Sequence, residues 1–449
     1  MKISFFGAAQ EVTGSCFLLE TDATKILIDC GLFQGSEEAD QKNRSPFGFD
    51  PKQISAVLIT HGHLDHTGRI PKLTREGFQG KIFGTAPTTE IAQLIWEDTL
   101  NLMQYNFEKG GPEPVYSAQD AAAAGRLLTG VSYGGPVEVA PGVRATWHDA
   151  GHILGSSFIE IEAEGKRLVF SGDIGNSDVP ILKDLEQLPQ IDLLLMESTY
   201  GGHIHEDPKT RVEELRAIIT RTVKERGVLM IPAFAIERIQ EILYELSSLV
   251  RDDKIPHVPI YLDSPLAIKV TEVFRKYQEY YDPEAVKRLS MGDNFFEFAG
   301  LQVTPRGEDS RMINDIPAPK VIIAGAGMMT GGRILHHLRR YLRNKNSTLL
   351  IVGYQARGTL GRKLLDGVSP VHIYGERVDV KAKIMKIGGY SAHADRARLV
   401  SWIDGAPTPP KRIVLIHGEP ESQEILAHDI HDTFSLQVER PGFGEQIAV

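Results

Sequence analysis

The sequence predicts an α/β fold that contains more than one domain. The chain has 449 residues, which is too long for one ordinary hydrophobic core, so two or three domains are expected. Strand-like segments alternate with helix-length stretches, and their pattern changes after Thr199. Hydrophobic residues make up 42% of the chain and charged residues 24%, a composition typical of globular proteins and not of disordered or fibrous ones.

The first part of the chain reads as short apolar strands joined by turns. The opening strands follow one another closely, which predicts an antiparallel meander, and two helices are expected from about Thr67 and Pro87. The strands predicted in this part cover residues 2–6, 15–20, 25–29, 56–60, 144–149, 157–162, 167–171 and 193–197.

After Thr199 the chain alternates strands with helix-length stretches, the pattern of a parallel α/β sheet. From about residue 375 it returns to short strands, each followed by a helical stretch. Connections are short throughout, so we expect an inserted or closely docked second domain rather than separate domains joined by a linker. The strands predicted in these parts cover residues 228–232, 260–263, 321–324, 348–352, 383–387 and 412–417.

The N-terminus has no apolar stretch or cleavage site of a secretory signal, and no apolar run is long enough to span a bilayer. A cytoplasmic location is therefore expected. The two cysteines, Cys16 and Cys30, both lie in or next to predicted strands. Two thiols cannot form a disulfide framework, so we expect them to be reduced core residues.

The charge distribution indicates a surface that can attract phosphates. The net charge of the chain is −10, which by itself argues against a nucleic-acid partner. Residues 206–374, however, have a net charge of +4, and within them residues 316–365 contain nine Lys or Arg and no Asp or Glu. This stretch is interrupted by glycine turns and apolar strands, so it belongs to a folded surface and not to a solvated tail.

A dense group of metal-ligand residues follows the strand predicted at residues 56–60. It reads His61-Gly62-His63-Leu64-Asp65-His66, with three histidines and one aspartate in six positions. Imidazole and carboxylate are ligands that zinc and similar first-row metals accept. A solvated polar turn is the alternative, but a loop folded around a cation explains this density better.

Three further candidates stand at the ends of later strands. His152 follows Ala150-Gly151, Asp173 lies in Ser-Gly-Asp, and His417 precedes Gly-Glu. A single histidine at a strand end is more often structural. Several apolar strands that each end in glycine next to His or Asp predict convergence on one site at the edge of a sheet.

With these motifs in place, essentially the whole chain resembles the metallo-β-lactamase superfamily and, within it, the β-CASP nucleases. That branch includes the endonuclease subunit of the cleavage and polyadenylation specificity factor, bacterial RNase J and compact prokaryotic ribonucleases. The resemblance also rests on Asp29 after Ile-Leu-Ile, Glu197 in Glu-Ser-Thr-Tyr-Gly and His393 in Ser-Ala-His-Ala-Asp. It implies a metallo-β-lactamase αββα sandwich, residues 1–204 and 375–449, with an inserted β-CASP α/β domain, residues 205–374.

The resemblance also implies a role for each residue of the site. Two Zn²⁺ ions are expected, although such ligands also accept Mn²⁺ or Fe²⁺. Asp173 would bridge the two ions, Asp29 would orient a ligand histidine, and His393, held by Glu197, would be the general acid, with Asp65 and Asp173 also counted as catalytic. The first ion would be held by His61, His63 and His152, and the second by Asp65, His66 and His417.

Contacts to substrate phosphates are expected in the second domain and in the cleft between domains. Residues 325–333 form a glycine-rich loop before a helix, where backbone N–H groups can approach an anion. A helix N-cap is the alternative role for Ser391. The predicted phosphate contacts are Thr330, Arg333, Arg357, Arg362 and Ser391.

The implied function is a metal-dependent ribonuclease that cuts single-stranded RNA, at least endonucleolytically, with hydroxide activated by two zinc ions and a histidine acid. DNA-repair relatives usually carry Val at the position of His417, so a DNA nuclease is the weaker alternative. A small-molecule hydrolase of thioesters, esters or lactones and a non-catalytic RNA-binding scaffold are the others. The N-terminal KH modules of archaeal relatives are not found in this sequence, which argues against sequence-preferring recognition of RNA. The C-terminal extension of RNase J is not found either, which argues against an oligomer built through that extension, and a monomer or a homodimer is expected.

Overall fold

The computed structural model describes residues 1–206, 208–356 and 358–449 and contains both parallel and antiparallel sheets. The strands are β1 (Lys2–Phe5), β2 (Phe17–Glu20), β3 (Lys25–Ile28), β4 (Ala56–Leu58), β5 (Lys81–Thr85), β6 (Leu128–Val131), β7 (Val137–Ala140), β8 (Val143–Asp149), β9 (Ser157–Ala163), β10 (Lys166–Phe170), β11 (Leu193–Glu197), β12 (Val228–Pro232), β13 (Ile260–Leu262), β14 (Leu301–Val303), β15 (Lys320–Ala324), β16 (Thr348–Ile351), β17 (Val371–Ile373), β18 (Glu376–Val378), β19 (Lys383–Lys386), β20 (Arg412–Ile416), β21 (Val438–Glu439) and β22 (Gln446–Ala448).

The α-helices are α1 (Glu37–Arg44), α2 (Leu64–Thr67), α3 (Ile70–Arg75), α4 (Ala86–Glu108), α5 (Ala118–Leu127), α6 (Arg211–Lys224), α7 (Arg238–Arg251), α8 (Pro265–Lys276), α9 (Pro283–Ser290), α10 (Gly307–Met312), α11 (Ile334–Tyr341), α12 (Leu360–Leu365), α13 (Arg396–Asp404) and α14 (Pro420–Phe434). Three short 3₁₀ helices cover Pro51–Gln53, Pro208–Thr210 and Gln278–Tyr280. Within the described part of the chain, no helix combines the length and the apolar character that a membrane span requires.

The chain divides into two compact units. The first comprises Met1–Ser177, Leu182–Ile204 and His393–Val449, and the second comprises Asp178–Ile181 and His205–Ala392. The second unit is therefore an insertion in the first.

The first unit contains two seven-stranded sheets. One has the strand order β22-β1-β2-β3-β4-β5-β6, and the other has the order β21-β20-β11-β10-β9-β8-β7. The antiparallel meander predicted for the first three strands is confirmed, because β1 pairs with β2 and β2 with β3 in antiparallel register. From β3 to β6 the pairing is parallel, which brings the carboxyl ends of these strands to one edge.

Alternation of side chains along the strands explains how these sheets pack. On β3, Ile26 and Ile28 belong to a core that also contains Trp147 and Leu195 from the other sheet. Leu27, which points the other way, belongs to a separate cluster with residues of the α3 and α4 helices. The other sheet has its own outer cluster with residues of α13 and α14. The period of two along each strand thus produces four layers, and the αββα sandwich is confirmed.

The second unit contains a six-stranded parallel sheet with helices between its strands. Its strand order is β14-β13-β15-β12-β16-β19, and every adjacent pair is parallel. This arrangement confirms the parallel α/β sheet predicted after Thr199. The four inner strands are mostly apolar because both of their faces are buried; all five residues of β12 and of β15 are buried.

The second unit continues beyond residue 374, where the sequence analysis placed the end of the inserted domain. It runs to Ala392 because β18 pairs with β17, and β19 then adds in parallel to β16 at the edge of the six-stranded sheet. The composition of β19 resembles that of a strand of either domain, and only its pairing assigns it. Cys16 and Cys30 are buried and unbridged, as expected.

Candidate metal and catalytic site

The His61–His66 segment begins in the turn after β4 and runs into α2, at the carboxyl edge of the parallel strands of the first unit. His63 is the N-cap residue of α2, and Asp65 and His66 lie in its first turn. Gly62 allows this turn to approach α4 closely, because a methyl group at this position would lie 2.6 Å from Cγ2 of Ile91. Strand, glycine and short helix together direct four polar side chains to one side of the turn.

The first predicted ligand set converges in the structure. Nδ1 of His63 lies 3.0 Å from Nε2 of His61 and 3.3 Å from Nε2 of His152. Oδ2 of Asp173 lies 3.4 Å from Nε2 of His61 and 3.6 Å from Nε2 of His152. Ligands about 2.0–2.1 Å from a tetrahedral zinc ion are separated from one another by roughly 3.3 Å, so these distances fit a zinc-sized cation.

The second predicted ligand set converges on the other carboxylate oxygen of Asp173. Nε2 of His66 lies 3.3 Å from Nε2 of His417 and 3.3 Å from Oδ1 of Asp173. Nε2 of His417 lies 3.5 Å from Oδ2 of Asp65. Asp173 therefore directs one oxygen to each set, which is the arrangement of a ligand that bridges two cations.

The donor atoms themselves indicate that cations belong here. Oδ1 of Asp173 is buried and has no hydrogen-bond partner among the described residues, although a buried polar atom normally has one. Imidazole nitrogens about 3 Å apart and a buried carboxylate form a donor set that a cation between them would satisfy. We conclude that these residues fit the binding of metal.

The protonation of the first set also suits metal binding. Burial, together with the neighbouring His66, lowers the pKa of His61 to about 4. Burial, together with His61, lowers the pKa of His63 to about 3. Burial likewise lowers the pKa of His152 well below its ordinary value. These imidazoles are therefore neutral near pH 7 and retain a lone pair for a metal ion.

Asp29 orients one ligand of the second set. Its Oδ2 lies 2.7 Å from Nδ1 of His66 and accepts a hydrogen bond of 2.8 Å from Oγ1 of Thr60. Its Oδ1 accepts a bond of 2.8 Å from the backbone N–H of Thr60. With Nδ1–H of His66 donating to Asp29, Nε2 of His66 is left to face the cation position.

Two threonines support the ligands and were missed in the sequence analysis. Oγ1 of Thr60 lies 3.1 Å from Nδ1 of His61, and Oγ1 of Thr199 lies 3.0 Å from Nδ1 of His417. Each threonine directly adjoins a predicted site residue or motif, Thr60 before His61 and Thr199 within Glu-Ser-Thr. Adjacency was the available signal, but a threonine at a strand end has too many ordinary roles to stand out.

Glu197 and His393 lie next to the ligand sets. Oε1 of Glu197 lies 3.4 Å from Nδ1 of His393 and accepts a hydrogen bond of 2.6 Å from the N–H of Ile174. Glu197 is fully buried at the end of β11. Burial alone would lower the pKa of His393, but Glu197 and Asp173 raise it to about 9. The pair thus holds a proton at neutral pH.

The predicted phosphate contacts all belong to the second unit, and two of the arginines have carboxylate partners there. Nη1 of Arg333 lies 2.8 Å from Oδ1 of the buried Asp263. Nε of Arg362 lies 2.9 Å from Oδ2 of Asp366 on the same helix turn. Arg357 lies outside the described residues. The glycine-rich loop containing Thr330 ends at α11, as the sequence predicts, and Thr330 is exposed.

Ser391 lies in the loop between β19 and α13. The N-cap of α13 is Asp395, whose side chain accepts a hydrogen bond from the N–H of Arg398. The alternative role of Ser391 as helix N-cap is therefore wrong, because the helix begins four residues later than the turn suggests.

Comparison with known protein families finds three adjacent matches along the chain. Residues 9–218 match the metallo-beta-lactamase superfamily. Residues 239–364 match the Beta-Casp domain, and residues 377–441 match the Zn-dependent metallo-hydrolase RNA specificity domain.

Similar proteins cover almost the whole chain. Ribonuclease TTHA0252 of Thermus thermophilus is 41% identical over 421 residues, which cover 94% of each chain. An RNase J-like protein of Methanocaldococcus jannaschii is 33% identical and covers 97% of this chain and 96% of its own. Transcription termination factor FttA of Methanosarcina mazei is 30% identical, and the match covers 97% of this chain and 70% of that protein. A crystal structure of a protein of unknown function from Enterococcus faecalis shares the fold, with a TM-score of 0.57 and 13% identity over 100% of this chain and 99% of that one.

Proposed function

This chain belongs to the β-CASP family of the metallo-β-lactamase superfamily and is a metal-dependent ribonuclease. From that premise we propose that it cuts single-stranded RNA internally, with two zinc ions and a histidine general acid. The observation that carries the proposal is the pair of ligand sets that meet on opposite oxygens of Asp173. His61, His63 and His152 would hold one ion, and Asp65, His66 and His417 the other.

The two ions, when bound, supply a water of lowered pKa and stabilise negative charge on a phosphoryl oxygen. The remaining requirement of phosphodiester hydrolysis is a proton for the departing ribose oxygen. His393 meets it, because its pKa near 9 keeps the imidazole protonated at neutral pH. Nδ1 faces Glu197, so Nε2 is the nitrogen that delivers the proton.

Glu197 orients His393, and backbone N–H groups in turn hold the carboxylate of Glu197 in place. Its carboxylate accepts hydrogen bonds from the N–H groups of Ile174, at 2.6 Å, and Thr199, at 3.3 Å. Both donors belong to loops that also carry or support metal-site residues, since Ile174 follows Asp173 and Thr199 contacts His417. The acid and the ligands are therefore fixed by the same short segments of chain.

The test is cleavage of single-stranded RNA whose two ends are blocked, with matching DNA and a panel of small thioesters, esters and lactones. Wild type, His393→Ala and His428→Ala are compared, each with zinc counted per chain and each repeated with a chelator. His428 is a matched control because its side chain is 73% exposed on α14. Removing a general acid typically costs about 10²–10⁴ in rate.

We expect two zinc ions per chain, chelator-sensitive cutting of blocked RNA, spared DNA, a large loss of rate in His393→Ala and none in His428→Ala. Cutting of the small esters with no cutting of RNA at full zinc occupancy would overturn the proposal in favour of a small-molecule hydrolase. Equal cutting of DNA would overturn the preference for RNA. Fewer than one metal ion per chain, together with RNA binding, would indicate a non-catalytic scaffold.

A further inference from the structure

The carboxyl edge of the parallel sheet in the second unit contains a diverging pair of connections. The central strands lie in the order β15, β12, β16. From β12 the chain continues through α7 to β13, on the β15 side, whereas from β16 it continues through α12 to β19, on the opposite side. Where neighbouring connections leave in opposite directions, the loops separate and open a crevice, and open α/β sheets bind ligands at such points.

Phe234 lies in the loop that follows β12, at this crevice. Its ring packs on two glycines from the loops of the neighbouring strands. A methyl group at Gly327, after β15, would lie 2.9 Å from Cδ2 of the ring, and one at Gly353, after β16, would lie 3.7 Å from Cε2. Glycine at these positions thus lets the ring lie against backbone, while 43% of Phe234 remains exposed to solvent.

Tyr354 adds a second aromatic side chain to the same edge. It follows Gly353 directly and is 54% exposed. The two loops after β15 and β16 lie within residues 316–365, which contain nine Lys or Arg and no Asp or Glu. Two solvent-exposed aromatic residues at one edge of the sheet form a surface suited to a ligand that has flat rings.

We propose that Phe234 is a stacking platform for an unpaired base of the RNA substrate, with Tyr354 in the adjoining loop as its neighbour. This inference rests on the proposed function and names a residue that binds the substrate outside the metal site. The ring already packs against the backbone of Gly327 and Gly353, so less side-chain entropy is lost when a base stacks on it than for a freely rotating ring. Every base has a π face, so such a contact holds single strands without reading their sequence.

The test measures binding of a short single-stranded RNA that carries the fluorescent base 2-aminopurine, in the His393→Ala background so that the RNA stays intact. Phe234→Ala is expected to weaken binding by about 5- to 150-fold and to abolish the quenching of one 2-aminopurine position. Phe234→Trp is expected to retain both. Phe107→Ala is the matched control, since Phe107 is 52% exposed on α4 of the first unit, and it is expected to bind as the background does.

A second measurement alters the RNA and leaves the side chain of Phe234 unchanged. In the same background, an abasic nucleotide is moved along the RNA, and at one position it is expected to weaken binding by a similar factor. Phe234→Ala is expected to lose this sensitivity to position. Equal affinity of Phe234→Ala and Phe107→Ala, with cleavage of RNA intact in the Phe234→Ala enzyme that retains His393, would overturn this inference alone. Failure of the wild-type protein to bind or cut RNA would overturn the proposed function as well.

Discussion

The substitution Asp29→Asn tests how the second metal position is prepared. Asp29 is buried and accepts three contacts, from Nδ1 of His66 at 2.7 Å and from Oγ1 and N–H of Thr60 at 2.8 Å each. Asparagine has the same shape and can still accept from the N–H of Thr60. Its NH₂ group, however, then occupies the place of Oδ2 and donates where the carboxylate accepted.

The amide group of the substituted side chain changes which ring nitrogen of His66 carries the proton. Nδ1 of His66 would have to accept, so the ring proton moves to Nε2, the atom that lies 3.3 Å from both His417 and Asp173. That nitrogen then offers no lone pair to a metal ion. Loss of such an orienting partner typically reduces metal affinity about 10- to 100-fold, or about 1.4–2.7 kcal/mol.

Zinc affinity is measured by competition with a chromogenic chelator, and bound zinc is counted per chain. The expected result is one unchanged tight site and one site weakened about 10- to 100-fold, because the histidine that Asp29 orients, His66, belongs to the second set. Asp50→Asn serves as the control. Asp50 is exposed and caps a 3₁₀ helix, a role that asparagine fills equally well.

Two sites of wild-type affinity in Asp29→Asn would refute the reasoning about the proton on His66. Equal weakening of both sites would refute the independence of the two ligand sets, and would point instead to Thr60, which contacts His61 as well as Asp29.

Two further predictions concern stability. Arg211→Met is expected to lower the free energy of unfolding of the second unit by about 3–5 kcal/mol in chemical denaturation, because it leaves the buried Glu245, 2.6 Å from Nε of Arg211, without a cation. His148→Gln is expected to lower stability at pH 6 and to have little effect at pH 10. Burial lowers the pKa of His148, but Glu160 and Glu186 raise it to about 9, so the stabilisation is complete below about pH 6.5 and is lost as the pH rises through 9.

Matched measurements make both predictions decisive. Arg216→Met removes an exposed pair with Glu213 and is expected to have little effect on stability, because solvent screens exposed ion pairs. An equally small effect of Arg211→Met would show that the buried pair does not stabilise the unit. For His148, the difference in unfolding free energy between wild type and variant is followed from pH 6 to pH 10, and a constant difference would contradict the raised pKa.

The sequence predicted the metal-ligand residues better than it predicted the residues that orient them. His61, His63, Asp65 and His66 stand out because few structures other than a metal site need so many ligand types in one turn. His152 stands out less, and it is identified by its place after a strand and a glycine. These features are local, and local patterns can be recognised in a sequence without knowledge of the folded structure.

Sequence patterns do not predict contacts between residues that are distant along the chain. Arg333 was expected to be available for a phosphate, but its partner Asp263 lies 70 residues away in sequence, so only the folded unit shows that pairing. Strand β6, at Leu128–Val131, has no fully buried residue and hence no apolar run to mark it. The end of the second unit at Ala392 depends on the parallel pairing of β19 with β16, which no pattern in β19 announces.

The three-segment construction of the first unit sets an order in which its metal positions can be made during synthesis. His61, His63, His152 and Asp173 all precede the inserted unit, so a nascent chain holds the complete first donor set before the second unit has been translated. His417 emerges only after that unit has left the ribosome. The predicted metal site as a whole is therefore completed only after the inserted unit has been translated and has had the opportunity to fold.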